Sequence, residues 1–341
     1  MQRYSSVFLF LLFALLVVAA AQYGWINQYV QLVLMYMGIN VILSSSLNLV
    51  NGYMGEFSCG HAGFMAVGAY VTSVLNIWLF TSDQPLSAQL LPASSVVYLF
   101  PITLLLGGVG AALAGLLVAI PSFRTRGDYL AIITLAVNYI VKSSIENIQA
   151  IGGARGFMGM RKVIDAMTGS VNLPWVMIWI LVAAGLTLVV LKRFVHSTYG
   201  QGVVALRDDE IAAEIMGVDS RRLKMIAFML SSGMAGVAGG LFAHVLGYIN
   251  PGTFTIMKST EVMVMVYLGG MGSLSGSVIS AIGFTFILEL MRPLQLYKWV
   301  AIPFLLIVLM LFRPEGIMGH RELTDVFPRL RWLTLSKEKR V

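Results

Sequence analysis

The chain has 341 residues, 58% of them hydrophobic and only 11% charged, with a formal net charge of +7. Soluble domains carry about 25% charged residues, so this composition excludes a soluble enzyme, and the same apolar excess excludes an intrinsically disordered chain. A single cysteine, Cys59, rules out an intramolecular disulfide framework and a multi-thiolate metal site, and His61, His196, His244 and His320 lack the spacing of a metal motif.

A helix crossing about 30 Å of hydrocarbon needs about 20 mostly apolar residues. In chain order, stretches free of Asp, Glu, Lys and Arg, or nearly so, predict helices over 7–21, 29–50, 57–80, 96–121, 129–147, 174–191, 225–248, 261–270, 276–292 and 296–312. The first, with Arg3 before it and Ala19, Ala20 and Ala21 after it, also fits a signal peptide; an uncleaved helix is preferred because further spans follow. The fold class expected is an all-α, polytopic membrane protein, a bundle of about ten helices with glycine-broken segments. Eight or nine crossings also fit, since the first span is short and glycines cut 261–292. One transmembrane domain is expected over 1–316, with a basic tail over 317–341.

Lys and Arg favour cytoplasmic loops. With the N-terminus inside and ten crossings, 16 of the 23 basic residues fall on the cytoplasmic side and 7 outside, which puts both termini in the cytoplasm. This placement ties the positive charge to topology and anionic lipid headgroups, not to nucleic acid.

Two glycine-rich breaks interrupt apolar sequence, at 52–63 and 269–276. Met54-Gly55-Glu56-Phe57-Ser58 matches Met271-Gly272-Ser273-Leu274-Ser275 in pattern, with Gly60 and Gly276 close behind. Non-helical backbone at membrane depth is tolerated where protein or a water-filled cavity surrounds it, and paired interruptions point to a transport pathway. The candidate pathway residues are Gly55, Glu56, Gly60, His61, Glu261, Gly270 and Gly272. Helix N-terminal ends at the breaks are suited to a carboxylate, and Met54, Met65, Met263, Met265 and Met271 read first as packing. His61 and His244 have no acidic partner at helical spacing and read as hydrogen-bonded packing residues; Asn40, Asn48 and Asn138 read as bridges between helices.

The longest charged loop runs over 192–224. In it Asp208 or Asp209 suits a helix N-cap, acidic residues crowd the first turn, and Gly217 suits a left-handed helix end. The short helix carries Ile211 and Ile215 on one face, with Ala212, Ala213 and Met216 beside them, and Asp219 can cap the next helix. Such an apolar face asks for a groove in a partner. An interfacial helix on lipid headgroups is the alternative, but Asp208, Asp209, Glu210 and Glu214 would be repelled by an anionic leaflet.

The segment Glu210-Ile-Ala-Ala-Glu-Ile-Met-Gly217-Val-Asp resembles the EAA-type coupling segment of ATP-binding-cassette importer permeases. Together with the motifs over 124–135, 47–64, 267–276 and Phe312-Arg-Pro-Glu-Gly316, it resembles the LivM-type permease of branched-chain amino acid importers. Cys59 departs from that family, where leucine is commoner. The resemblance implies a permease subunit in a bacterial inner membrane, moving leucine, isoleucine or valine. Its implied partners are a second homologous LivH-like permease, two cytoplasmic P-loop ATPase subunits and a periplasmic substrate-binding protein. It also implies that Asp209, Glu210, Ala212, Ala213 and Gly217 couple the chain to the ATPases, with Glu210 paired to a basic residue of the partner. Permeases for urea and short-chain amides share most of these motifs.

The chain has no GxxxxGK[ST] phosphate loop, so ATP belongs to the partner subunits and no cofactor is expected on this chain. Catalytic residues and a metal site are expected to be absent, since no Ser/His or paired-Asp arrangement is visible. An ion-coupled secondary transporter is the competing class; it needs ionisable residues within the spans, and these nearly lack them. Arg124, Arg126 and Asp128 form a corner that reads as a topology signal or as a second ATPase contact.

Overall fold

The computed structural model describes residues 5–81, 90–92, 95–123, 129–170 and 172–294, and beyond them 297, 300, 303, 304, 307, 308, 311, 312, 316–319 and 322. The corner at Arg124, Arg126 and Asp128, most of the expected span 296–312 and most of the tail 317–341 lie outside the described residues.

The helices in order are α1 (Ser5–Gln22), α2 (Gln28–Asn48), α3 (His61–Phe80), α4 (Val96–Ser122), α5 (Tyr129–Asn147), α6 (Met160–Ser170), α7 (Trp175–Val195), α8 (Thr198–Asp208), α9 (Glu210–Ile215), α10 (Ser220–Leu246), α11 (Ile256–Gly269) and α12 (Leu274–Leu290). Among the described residues six helices are long and apolar enough to cross a membrane: α2 with its extension to Tyr53, α3, α4, α5, α7 and α10. Side chains such as Leu105, Leu117, Ile132, Ile140 and Leu186 are exposed on these helices, a surface suited to hydrocarbon or to another membrane helix. The α5 bounds coincide with the expected span. α3 begins four residues later than expected because 57–60 is not helical, and α10 begins five residues earlier because Asp219 caps it.

Small residues decide the centre of the bundle. α10 lies against α3 and α4, and a Cβ on Gly68 would stand 2.2 Å from the Gly236 Cα, so the two backbones touch with no side chain between them. Phe64 and Phe228 close the same interface edge to face at 5.5 Å. α2 runs antiparallel to α12, joined by Asn40 donating to the Thr285 hydroxyl at 2.9 Å. α11 and α12 form a hairpin; at 14 residues, α11 reaches only about 21 Å and does not cross the bilayer alone.

Three features of the fold escaped the sequence. α6 is amphipathic, with Met160, Val163 and Met167 fully buried and Arg161 and Lys162 exposed. Two short strands, β1 (Phe157–Met158) and β2 (Tyr248–Ile249), pair antiparallel beside it. The third, α8, fills the first half of the charged loop, started by the Ser197 hydroxyl accepting from the Gly200 N–H at 3.3 Å.

Candidate functional site at the glycine breaks

The first break begins as α2 widens into a π-helical turn over Leu49–Tyr53, where the Met54 N–H donates to the Leu49 carbonyl at 3.1 Å. The chain then reverses at Gly55, whose φ of +74° only glycine adopts without strain. In the second break Gly270 and Gly272 have φ of +112° and +82°, and Ser273 caps α12 by accepting from the Gly276 N–H at 3.0 Å. The two breaks touch. Asn48 donates to the Ser273 carbonyl at 2.9 Å and to the Ser277 hydroxyl at 2.7 Å, while its own oxygen accepts from the Gly272 N–H at 3.0 Å. A Cβ on Gly52 would stand 2.4 Å from the Gly272 nitrogen, so the contact requires glycine. The segment after the last expected span also reaches the second break: the Ile317 N–H donates to the Leu268 carbonyl at 2.9 Å and the Met318 N–H to that of Gly269 at 3.1 Å. The Glu322 carboxylate accepts from the N–H groups of Leu274 at 2.9 Å and Ser275 at 3.1 Å, at the α12 N-terminus where the helix dipole favours an anion.

The other candidate pathway residues are more scattered. Gly60 sits at the α3 start against Thr134, where a Cβ would meet the Thr134 carbonyl oxygen at 2.5 Å. His61 is buried and bonded to the Ser46 hydroxyl at 2.8 Å; His244 donates to the Gly240 carbonyl at 2.7 Å and pairs with Asn76 at 2.9 Å. Both are buried and hydrogen-bonded, and Asn40, Asn48 and Asn138 all bridge helices, Asn138 reaching the Ser259 hydroxyl at 3.5 Å. Glu261 pairs with Lys258 at 3.0 Å and stands about 13 Å along α11 from Gly270, so it does not join the breaks.

The charged loop folds largely as its caps dictate. Asp209 caps α9 by accepting from the Ala212 N–H at 3.0 Å, Gly217 ends it at φ +87°, and Asp219 caps α10 through the Arg222 N–H at 3.1 Å. Ile211, Ile215 and Met216 are 71, 80 and 83% exposed, and Ala212 is exposed beside them. Ala213 corrects the expected face: it is buried, because it lies on the side of α9 turned to the rest of the chain. Glu210, expected to pair with a basic residue of a partner, has one within the chain. It binds Lys224 of this chain at 2.8 Å, and the same ammonium binds Glu56 of the first break at 2.7 Å. Arg207, at the end of α8, donates to the Gly52 carbonyl at 3.3 Å and lays its stem against Gly55. Sequence reasoning had counted Lys224 and Arg207 only as topology signals. Among the described residues no group of three His, Cys, Asp or Glu side chains is placed to hold a metal ion.

A family model for the branched-chain amino acid transport system / permease component matches residues 29–312. The chain belongs to this permease family. One relative is the high-affinity branched-chain amino acid transport system permease protein LivM of Escherichia coli (strain K12), 33% identical over 304 residues, which are 82% of this chain and 68% of the relative. A probable branched-chain amino acid transport permease protein LivM of Methanocaldococcus jannaschii is 23% identical over 86% of this chain and 94% of its own length. The LivH permease of E. coli K12 is 30% identical over 166 residues, 48% of this chain and 53% of that one. No solved structure gives a significant match. This permease is thus a multi-pass membrane protein, and its likeness to both LivM and LivH indicates a pair of related permeases in one transport system.

Proposed function

We propose that the chain is the LivM-like subunit of an ATP-driven importer of leucine, isoleucine and valine. A periplasmic binding protein delivers the amino acid, a LivH-like permease completes the membrane body, and two cytoplasmic P-loop ATPases supply the energy, ATP binding only to them. Both termini and the 192–224 loop lie in the cytoplasm, in keeping with the bias of basic residues. The observation that carries the reading is α9: a capped helix presenting Ile211, Ile215 and Met216 to solvent, next to a glycine break inside a membrane protein. Its apolar side suits a groove in the ATPase, and closure of the ATPases drives a rigid-body switch between outward and inward access. In this reading Ala212 allows close approach, Asp209 and Gly217 fix the ends of α9, and Ala213 seats it. The paired breaks form the pathway.

The test is gentle solubilisation of the tagged chain from its native membrane and mass spectrometry of what copurifies, with uptake assays in vesicles. A second permease and P-loop ATPases should accompany the wild type, and uptake of labelled leucine, not urea, should require ATP. Gly217→Leu meets no atom within 4 Å at its Cβ, so it strains only the turn. At about 1–2 kcal/mol for a left-handed residue, it should insert and assemble yet transport poorly. Recovery of the chain alone, with uptake following an ion gradient, would overturn the importer reading; normal uptake by assembled Gly217→Leu would overturn the role of the loop.

A further inference from the structure

Lys224 stands at a costly place. It lies where the second turn of α10 begins, and its side chain is only 10% exposed, so an ammonium is held there largely out of water. A corner needing stability alone is served by a helix cap, and Asp219 already provides one. The ammonium instead joins two segments far apart in the chain, Glu56 in the first glycine break and Glu210 in the first turn of α9. Few other contacts anchor α9. Ala213 is its one buried residue, and Glu214 bonds to Ser220 at 2.5 Å, which ties it to α10 but not to the break. Arg207 adds a second tie between the loop and the same break through the Gly52 carbonyl. From there Asn48 passes any shift to Gly272, Ser273 and Ser277.

We propose that Lys224 is a positioning residue for energy coupling: by holding Glu210 and Glu56 on one buried ammonium, it carries the displacement of α9 into the first glycine break. This rests on the assignment of α9 as the ATPase contact made above. Contiguity does not demonstrate coupling, so the link is a double-mutant question. When α9 is displaced, Lys224 can follow Glu210 only by pulling on Glu56, which lies just beyond the π-helical turn at the end of α2.

The experiment uses the complete importer reconstituted in liposomes, with ATPase rates measured with and without leucine-loaded binding protein, and leucine uptake. Lys224→Met keeps the apolar stem and removes the charge; the ratio of stimulated to unstimulated ATPase should fall about tenfold, a size typical of coupling between sites. Glu56→Gln should do the same although it lies away from α9, the double variant should be no worse than the worse single one, and Lys224→Arg should restore most of the ratio. Normal coupling in Lys224→Met and Glu56→Gln, or losses that multiply in the double variant, would overturn the proposal. If Lys224→Met does not assemble, Glu56→Gln with Glu210→Gln gives the same reading: non-additive losses support it and multiplying losses overturn it. Ile215→Asp separates this from the earlier assignment. Retained ATPases in the purified Ile215→Asp complex refute α9 as their contact, whereas their loss, with normal coupling in Lys224→Met, refutes the Lys224 link alone.

Discussion

Asn48 joins the two breaks directly, because its amide satisfies a donor and two acceptors on the facing segment. Asn48→Leu is close in volume but leaves the Gly272 N–H in want of a partner, at roughly 1–3 kcal/mol for a buried group, while the Ser273 carbonyl keeps the N–H and hydroxyl of Ser277. The purified variant should therefore melt clearly below the wild type in a thermal-shift assay in detergent; an unchanged midpoint would show that the breaks hold together without it. At this scale the sequence was readable wherever chemistry is local. Asp209, Gly217 and Asp219 do what their types do at helix ends, and the three asparagines bridge helices because an amide in hydrocarbon must find a partner. Lys224 was opaque for the opposite reason. Its partner Glu56 is 168 residues away, and nothing in the spacing of either residue marks the pair.

Among the helices, α3, α4 and α10 form the part of the bundle least able to change. Gly236 lies where a Cβ would stand 2.4 Å from the Ala111 Cβ and 3.0 Å from the Gly107 carbonyl oxygen, whereas a Cβ on Gly233 would stand 3.3 Å from the Ala112 Cβ. Gly236→Leu should force α10 away from α4 and cost about 1–3 kcal/mol or more by overpacking, while Gly233→Ala should need only a small adjustment. Size-exclusion profiles and melting in detergent would tell them apart, and equal behaviour of the two would remove close packing as the reason for these glycines. The long spans were legible because hydrocarbon imposes length and apolarity together. The short elements were not. α6 contains Arg161, Lys162 and Asp165, so a search for charge-free runs passes over it, and its stripe of Met160, Val163 and Met167 is meaningful only once the bundle is there to cover it. Ala213 was misjudged for a related reason: on a helix of one and a half turns, which side faces inward depends on how Lys224 and the caps seat it.

For the whole molecule, the decisive property is that its two ends differ. The end with α8, α9 and both glycine breaks is bound by ion pairs and backbone reversals; the other end carries α6 and the β1–β2 pair, separated from it by α10, about 40 Å long at 27 residues. In a Cys59→Ala background, Met158→Cys and Ile215→Cys place thiols on these opposite ends, at positions 61% and 80% exposed in the parent. A membrane-impermeant maleimide applied to intact spheroplasts should label Met158→Cys and spare Ile215→Cys; the reverse pattern would invert the topology. The π-helical turn belongs to the first of these ends. Because the Met54 N–H reaches back to Leu49 rather than to Val50, the chain winds one residue wider there than an α-helix does. Loss of a single codon between Asn48 and Glu56 would let that turn close into an α-helical one and remove the wide turn that sets Gly52 against Gly272. Exchange of Leu49 or Val50 for another apolar residue leaves that spacing alone. Descent can therefore edit the letters of this stretch more freely than it can edit their number.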